Sequence, residues 1–234
     1  MKHYAYESPF KMKDKEGVEY TLEVMVDQCP ESPRSWDNLC TMVCWHKHYD
    51  LGDKHDYDGI EDFFQTLCKE VLGKGYHETG DLYWQDMLKM LKESDLIVIK
   101  AINMYDHGGI TVSTSDGYPY NDRWDAGMVG FIYVTKQTIF KECSYAEEEA
   151  WKDIAEDFIK AEMEVYDHYC RGDVYGYKLT KRVTEQETCP HCGEVIREHE
   201  EEDEVDSCWG FYGDCLDDNE ILENFGDLEF VEED

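Results

Sequence analysis

The chain has 234 residues, with 55 Asp and Glu against 22 Lys and Arg, for a formal net charge of −33 at pH 7. That is far beyond the magnitude of about 2–8 that keeps a small domain soluble; it repels itself in the compact state, and it excludes nucleic acid and anionic membrane as direct partners while attracting basic surfaces. A disordered acid tract is also excluded, because 41% of the residues are hydrophobic and 14% aromatic, whereas disorder needs low hydrophobicity together with high charge.

Residues 18–26 alternate and are expected as a strand. Pro30 and Pro33 mark a turn before Trp36-Asp37-Asn38, and the apolar run 39–45 reads as a short buried strand. Residues 46–58 are a polar, acidic loop. Ile60, Phe63, Phe64, Leu67, Cys68, Val71 and Leu72 recur at helical spacing, and Gly73 and Gly75 stop that helix. Residues 82–91 form a second amphipathic helix. Residues 95–104, rich in β-branched side chains, are the strongest strand; 110–114 pairs with it across Asp106-His107-Gly108-Gly109. Residues 129–134 are another strand, with Gly127 and Gly130 suggesting a close backbone approach.

Residues 144–171 read as one long helix. Ser144 and Glu147 form a capping box at its start, Trp151, Ile154, Ala155, Phe158, Val165 and Tyr169 form its apolar stripe, and Gly172 ends it. Its length is roughly 38 Å at 1.5 Å per residue. Residues 174–183 and 205–212 are two strands of a hairpin with 184–203 as an excursion at its tip, and the tail from 216 is short-helical or loose. The fold class expected is α+β: a single mixed domain with a mostly antiparallel sheet, one long amphipathic helix and a C-terminal hairpin. Its parts are a core over 1–183, a zinc-knuckle hairpin insertion over 184–203, a returning strand over 204–215 and an acidic tail over 216–234.

Ten cysteines would suit an oxidising compartment, yet no secretory apolar segment follows Met1-Lys2-His3-Tyr4. The longest apolar stretch, 96–104, is interrupted by Lys100 and is too short to span a bilayer. A soluble cytoplasmic protein with mostly reduced thiols is expected. Cys40, Cys44, Cys68 and Cys170 stand among apolar or aromatic neighbours and read as small core residues. Cys189-Pro190-His191-Cys192-Gly193 is half of a zinc knuckle, two thiolates two residues apart with a glycine after the second. A complete structural zinc site needs two more ligands, for which His199, Cys208 and Cys215 are the candidates; the metal would staple the hairpin tip.

Between Glu194 and Asp234 there are 18 acidic residues and one basic residue, Arg197. The long helix adds Glu148, Glu149, Asp153, Glu156, Asp157, Glu162, Glu164 and Asp167. Such runs are usually a solvated face. The sharper reading is nucleic-acid mimicry, in which carboxylates stand in for phosphates spaced about 1.7 Å apart along a duplex axis. Glu148, Glu156, Glu164, Glu198, Glu200, Glu201, Glu202, Asp203 and Glu204 would then contact the basic groove of a host protein that binds nucleic acid.

An alternative reading is enzymatic. His46, His48 and Asp50, followed by Asp53, His55, Asp56 and Asp58, are dense in metal-capable groups, and His107 sits at a strand end; together they suggest a metal-dependent hydrolase or nuclease. A polar loop and a β-turn explain the same residues, and no Gly-rich phosphate loop, nucleophile elbow or H-E-x-x-H is present. A third reading is an adaptor or assembly protein. Trp36-Asp37-Asn38, Trp124-Asp125 and the segment from Trp209 to Asp214 combine indoles with acceptors, as packed tryptophans need.

Ser32-Pro-Arg-Ser-Trp-Asp-Asn-Leu39, Tyr105-Asp-His-Gly-Gly-Ile110, Trp124-Asp-Ala-Gly-Met-Val-Gly-Phe-Ile-Tyr-Val134, Gly172-Asp-Val-Tyr-Gly-Tyr177 and Asp206-Ser-Cys-Trp-Gly-Phe-Tyr-Gly-Asp214 resemble, in order and over most of the chain, motifs of a family of acidic hypothetical proteins from bacteriophages and mobile elements. The resemblance implies an accessory phage protein acting in a bacterial cytoplasm and assigns no catalytic residue. Many members lack the insertion with Cys189 and Cys192, which argues against a shared catalytic zinc. Context and charge together favour an inhibitor that blocks a host nucleic-acid-binding protein or defence nuclease by mimicry.

Overall fold

A computed structural model of the protein describes residues 2–114 and 125–231. In chain order the elements are β1 (Phe10–Lys13), β2 (Glu19–Val26), β3 (Thr41–Cys44), α1 (Ile60–Leu72), α2 (Tyr76–Thr79), α3 (Trp84–Glu93), β4 (Ile97–Asp106), β5 (Ile110–Ser113), β6 (Ala126–Thr135), α4 (Lys136–Glu142), α5 (Trp151–Arg171), β7 (Val174–Thr188), β8 (Val195–Tyr212) and β9 (Glu229–Phe230), with 3₁₀ turns at Ala5–Glu7, Pro33–Ser35 and Ile221–Phe225. The fold is α+β, with antiparallel ladders, the long helix α5 and the C-terminal β7–β8 hairpin. The chain divides into two compact units, Ser32–Arg171 and the two terminal stretches Met1–Glu31 with Gly172–Asp234.

In the unit Ser32–Arg171 the strands lie in the order β3-β6-β4-β5. Helix α5 covers one face, where Trp151, Ala155, Ile159, Met163 and Tyr166 pack with Met42, Ile102, Met104, Ile132 and Val134. Helices α1 and α3 cover the other, with Phe63, Phe64, Leu67, Met87 and Leu91 against Val43, Ile97, Ile99 and Phe131. Burial on both faces is why β4 and β6 read as near-continuous apolar runs. The close approach expected at Gly130 is real: a Cβ there would stand 2.2 Å from the Val43 carbonyl oxygen. At Gly127 a Cβ would meet nothing within 4 Å.

Arg34 ties this unit together. Its side chain is only 5% exposed. Nε and Nη2 donate to Asp53 at 2.8 and 3.0 Å, Nη1 donates to Glu162 at 2.8 Å, and Nη2 also reaches the Cys40 carbonyl at 2.8 Å. Glu162 in turn accepts from the backbone N–H groups of Leu39 and Cys40, and Asp53 accepts from that of Met42. The network joins α5 to the start of β3 and leaves no charge without a partner.

Helix α5 starts seven residues later than the sequence suggests, so the capping box at Ser144 does not form its N-terminus. Residues 144–150 make two successive turns, closed by Ala146 N–H to the Cys143 carbonyl and Ala150 N–H to that of Glu147. These turns return Glu148 to Lys136 at the start of α4. The helix is therefore about 32 Å long. Beside it, Asp95 accepts from Lys136 at 2.9 Å and Lys152 at 2.6 Å.

The unit of the two termini holds a sheet in the order β8-β7-β2-β1-β9. Met12, Leu22, Val24, Tyr177 and Leu179 pack against Ala5, Leu216, Ile221 and Phe225. Residues 216–225 thus contribute core side chains, and the buried Asn219 fixes their path by donating to the Gly213 carbonyl at 2.7 Å. The Trp209 ring lies over Gly176, where a Cβ would come within 2.1 Å of it.

Arg34→Leu should lower stability by about 3–5 kcal/mol, because Asp53 and Glu162 would keep their burial and lose their cation; urea denaturation checks this, and a midpoint shift no larger than that of an exposed control substitution contradicts it. Lys136 and Lys152 hold the Asp95 carboxyl down at about 2, below the roughly 3.9 of an unfolded Asp. Its contribution is therefore complete above the unfolded value and is lost as pH falls through the folded one. NMR titration of Asp95 should give that low midpoint, and Asp95→Asn should flatten the acid limb of the stability profile.

Candidate functional site

Strand β7 pairs with β2 only from Tyr175 to Lys181, whereas β7 and β8 stay paired out to Thr188 and Val195. The excursion expected over 184–203 is therefore mostly regular structure: a two-stranded ribbon that runs about 23 Å past its last contact with β2, at about 3.3 Å per residue. Its side chains are nearly all exposed. From Arg182 to Asp206 it carries ten acidic residues and two basic ones, Arg182 and Arg197.

The register explains how so acidic a ribbon forms. Glu198, Glu200, Glu201, Glu202, Asp203, Glu204 and Asp206 of β8 face Gln186, Thr184, Val183, Arg182, Lys181, Thr180 and Leu179; the two acids of outer β7, Glu185 and Glu187, face His199 and Arg197. No carboxylate opposes another, an arrangement that avoids the cost of directly opposed like charges. A slip of one residue would set Glu185 against Glu198 or Glu200. Along the strand, Gln186 donates to Glu198 at 2.6 Å, Lys178 lies 3.2 Å from Glu204 and Arg182 3.7 Å from Glu200. Bonds from Ser207 and then Lys178 hold Glu204 below the usual carboxylate range. At the base, the Tyr177 hydroxyl donates to Asp206 at 2.7 Å.

The six carboxylates from Glu198 to Glu204 alternate between the two faces, interrupted only by His199. On one face, Glu198, Glu200, Glu202 and Glu204 form a row with neighbours about 6.6 Å apart. His199 Nε2 lies 3.0 Å from Glu201 and 3.6 Å from Glu185. Glu185, His199 and Glu201 are the one group of three metal-capable side chains whose ligand atoms converge among the described residues.

At the tip, Cys189 N–H donates to the Glu194 carbonyl at 2.8 Å and Gly193 N–H to that of Cys189 at 2.9 Å. Gly193 has φ +75°, a conformation that suits glycine. The backbone N–H groups of His191 and Cys192, and then the Cys192 side chain, lower the Cys189 thiol by hydrogen bonding, and the Cys192 thiol donates to Glu194 Oε2 at 3.7 Å. The further ligands suggested by the sequence are not there. Cys208 sits opposite Tyr177, eleven residues or about 36 Å down the ribbon. Cys215 is buried beyond that, bridged to Tyr4. His199 is three residues back, opposite Glu185. Sulfurs on one tetrahedral zinc lie about 3.8 Å apart, so none of the three completes a site with Cys189 and Cys192.

The other candidates lie in the unit Ser32–Arg171. His46 and His48 follow β3 in a loop and not in a strand, so strand geometry does not align them; their rings stand 5.9 Å apart. Both line a cleft of 320 Å³ with Asp106, which the sequence places beside His107 at a strand end, and with Asp125, which is not among the metal-site candidates. Asp106 accepts from the Tyr49 hydroxyl at 2.8 Å and Asp125 is 3.0 Å from His107, which is 69% exposed. Asp50 lines a neighbouring cavity of 780 Å³ together with His46, Asp53, His55 and Asp56, so His46 borders both spaces. His107 lines neither, and among the described residues the ligand atoms of His46, His48, Asp50 and His107 form no convergent group. Trp124 of the Trp124-Asp125 pair lies outside the described residues. On α5, Glu156 is 3.2 Å from Lys100 and Glu164 is exposed; Glu148, in the turns before α5, is bonded to Lys136.

Burial pushes the thiols of Cys44 and Cys170 up to about 12 and raises those of Cys40 and Cys68 as well, as befits packed, unreactive side chains. Among the described residues no helix is long and apolar enough to cross a membrane. Comparison with family models, curated proteins and solved structures finds no match.

Alkylation of the native, reduced, chelator-treated protein should modify Cys29, Cys189, Cys192 and Cys208 while Cys40, Cys44, Cys68, Cys143 and Cys215 stay protected until denaturant is added. Peptide mass mapping reads this directly; early labelling of Cys44 or Cys68 would contradict the burial described.

Proposed function

We propose that the protein is a phage-type acidic accessory protein that inhibits a host nucleic-acid-binding protein, such as a defence nuclease, by nucleic-acid mimicry. One observation carries the reading. A strand rises about 3.3 Å per residue, and each strand of DNA presents one phosphate per 3.4 Å of axis. With an acid at nearly every position from Glu198 to Glu204, β8 carries charge at the spacing of a nucleic-acid strand, on a ribbon whose outer half belongs to no larger sheet. A groove that contacts phosphates through Lys and Arg would meet carboxylates at comparable intervals.

The face proposed is the ribbon, with Glu198, Glu200, Glu201, Glu202, Asp203 and Glu204 as the contacting residues. Glu148 and Glu156 have lysine partners and lie apart from the continuous acid run of β8, so they contribute less. The chain itself would bind no nucleic acid.

Tagged protein is passed through nuclease-treated bacterial lysate, and the retained proteins are identified and challenged with DNA and with salt. The expected result is retention of a nucleic-acid-binding protein that DNA displaces and whose affinity falls about tenfold or more between low and physiological salt, as screening of exposed charge requires. Changing Glu200, Glu201, Glu202 and Asp203 together to Lys should abolish retention. Undiminished binding by that variant, or binding indifferent to salt, would overturn the reading.

A further inference from the structure

The ribbon ends in half of a metal site, and the described residues of its own chain do not complete it. The turn has the features that aim two sulfurs at one ion: Cys189 and Cys192 two residues apart, backbone N–H groups of His191 and Cys192 on the Cys189 sulfur, and Gly193 at φ +75°. A structural zinc needs four ligands. Glu194 Oε2 lies 3.7 Å from Cys192 Sγ, but among the described residues no third ligand atom comes within 4.8 Å of both thiols. The ribbon carries them about 23 Å past the end of the β2 pairing, out of reach of Cys208 and Cys215.

We infer that the tip is a metal-dependent homodimerisation site, in which Cys189 and Cys192 of one chain and the same pair of a second chain bind a single Zn²⁺ tetrahedrally. The inference goes beyond nucleic-acid mimicry and does not depend on it. Two identical half-sites related by a two-fold axis through the ion form a closed, isologous contact. The four thiol protons go to solvent as the sulfurs coordinate, and no oxidation occurs.

Two features of the ribbon select a second copy, and select it end to end. Val195 and Ile196, immediately behind the knuckle, are 47% and 62% exposed, an apolar side chain on each face of the tip. The charge lies further back. From Gln186 to Arg197 the tip carries two acids, Glu187 and Glu194, and one base, Arg197, whereas the acid run begins at Glu198. End-to-end contact keeps the two acid runs apart. Side-by-side contact along the open edge of β8 would bring them together, and charge on an edge strand opposes such pairing. An isolated two-stranded ribbon is also marginally stable in water, and a metal clamp at its open end would stabilise the outer pairs.

The test is metal content and mass on the full chain, purified with Zn²⁺ under reducing conditions. The expected result is one zinc per two chains and a light-scattering mass twice that of one chain, with loss of zinc and return to monomer on adding EDTA. Cys189→Ser/Cys192→Ser should be monomeric and zinc-free with an unchanged circular dichroism spectrum. Because stoichiometry is read on the wild-type protein, misfolding of the variant would not decide the matter. One zinc per chain on a monomer, no zinc bound, or a reduced dimer that survives EDTA would each overturn the inference. A monomeric protein that still binds a basic partner salt-sensitively would sink this inference and leave mimicry standing; a zinc-bridged dimer with no such partner would do the reverse.

Discussion

The Arg34 guanidinium is where the self-repulsion of an intensely acidic chain becomes compatible with a packed core. It takes Asp53 in a two-pronged contact and Glu162 through its remaining nitrogen, and the same carboxylates collect the backbone N–H groups that open β3. A charge buried so deeply is tolerable only when fully bonded. Three lysines of this unit are paired at its surface: Lys136 and Lys152 meet at Asp95, and Lys100 meets Glu156, carboxylates that stay more than half exposed. The ribbon follows a different rule. With no core, it keeps its acids apart by register, setting each against a neutral or basic neighbour. What is left uncompensated points outward along β8.

These two rules explain what the sequence made legible. β4, β6 and α1 were readable because burial on two faces, or on one helical stripe, leaves a strong apolar pattern. β1 alternates Lys with Phe and Met, and β9 is two residues long, so neither stands out. The continuity of β8 was hidden for a physical reason. Glu and Asp have poor strand propensity, and a seven-residue stretch with six of them reads as loop unless the opposing strand is considered. The information lay in the pair: Arg182, Thr184 and Gln186 complement Glu202, Glu200 and Glu198. The start of α5 was misplaced because Ser144 and Glu147 satisfy a local cap, whereas Trp151, 2% exposed, and the Lys136 partner of Glu148 fix where the chain turns. Half of the metal motif was visible at Cys189 and Cys192. Its incompleteness became visible only with the ribbon's length.

The motifs that carry the resemblance occupy positions that hold the fold. Arg34 lies in the first, the β4–β5 turn in the second, and Gly130 with its close approach to β3 in the third. The fourth and fifth pair with each other, placing the Trp209 ring over Gly176. Such residues specify packing and turn geometry. They identify an architecture without naming a reaction, which is why the proposed function rests on the ribbon, outside most of those motifs.

A strand is better suited than a helix to present charge as nucleic acid does. A helix rises 1.5 Å per residue but shows a given face only once per 5.4 Å turn, and in α5 that outer face mixes Lys152 and Lys160 with its acids. A strand advances one residue in about the distance that DNA advances one nucleotide, and its alternation produces two parallel rows of charge. The same extended geometry moves the thiols of Cys189 and Cys192 away from Cys208 and Cys215 and leaves only the Glu194 carboxylate beside Cys192. Length therefore does two things at once: it frees a row of carboxylates from the sheet, and it leaves the knuckle at the end of that row dependent on a second chain. Joined tip to tip, two ribbons would carry their acid rows on opposite sides of a two-fold axis, the symmetry with which dimeric DNA-binding proteins meet paired half-sites.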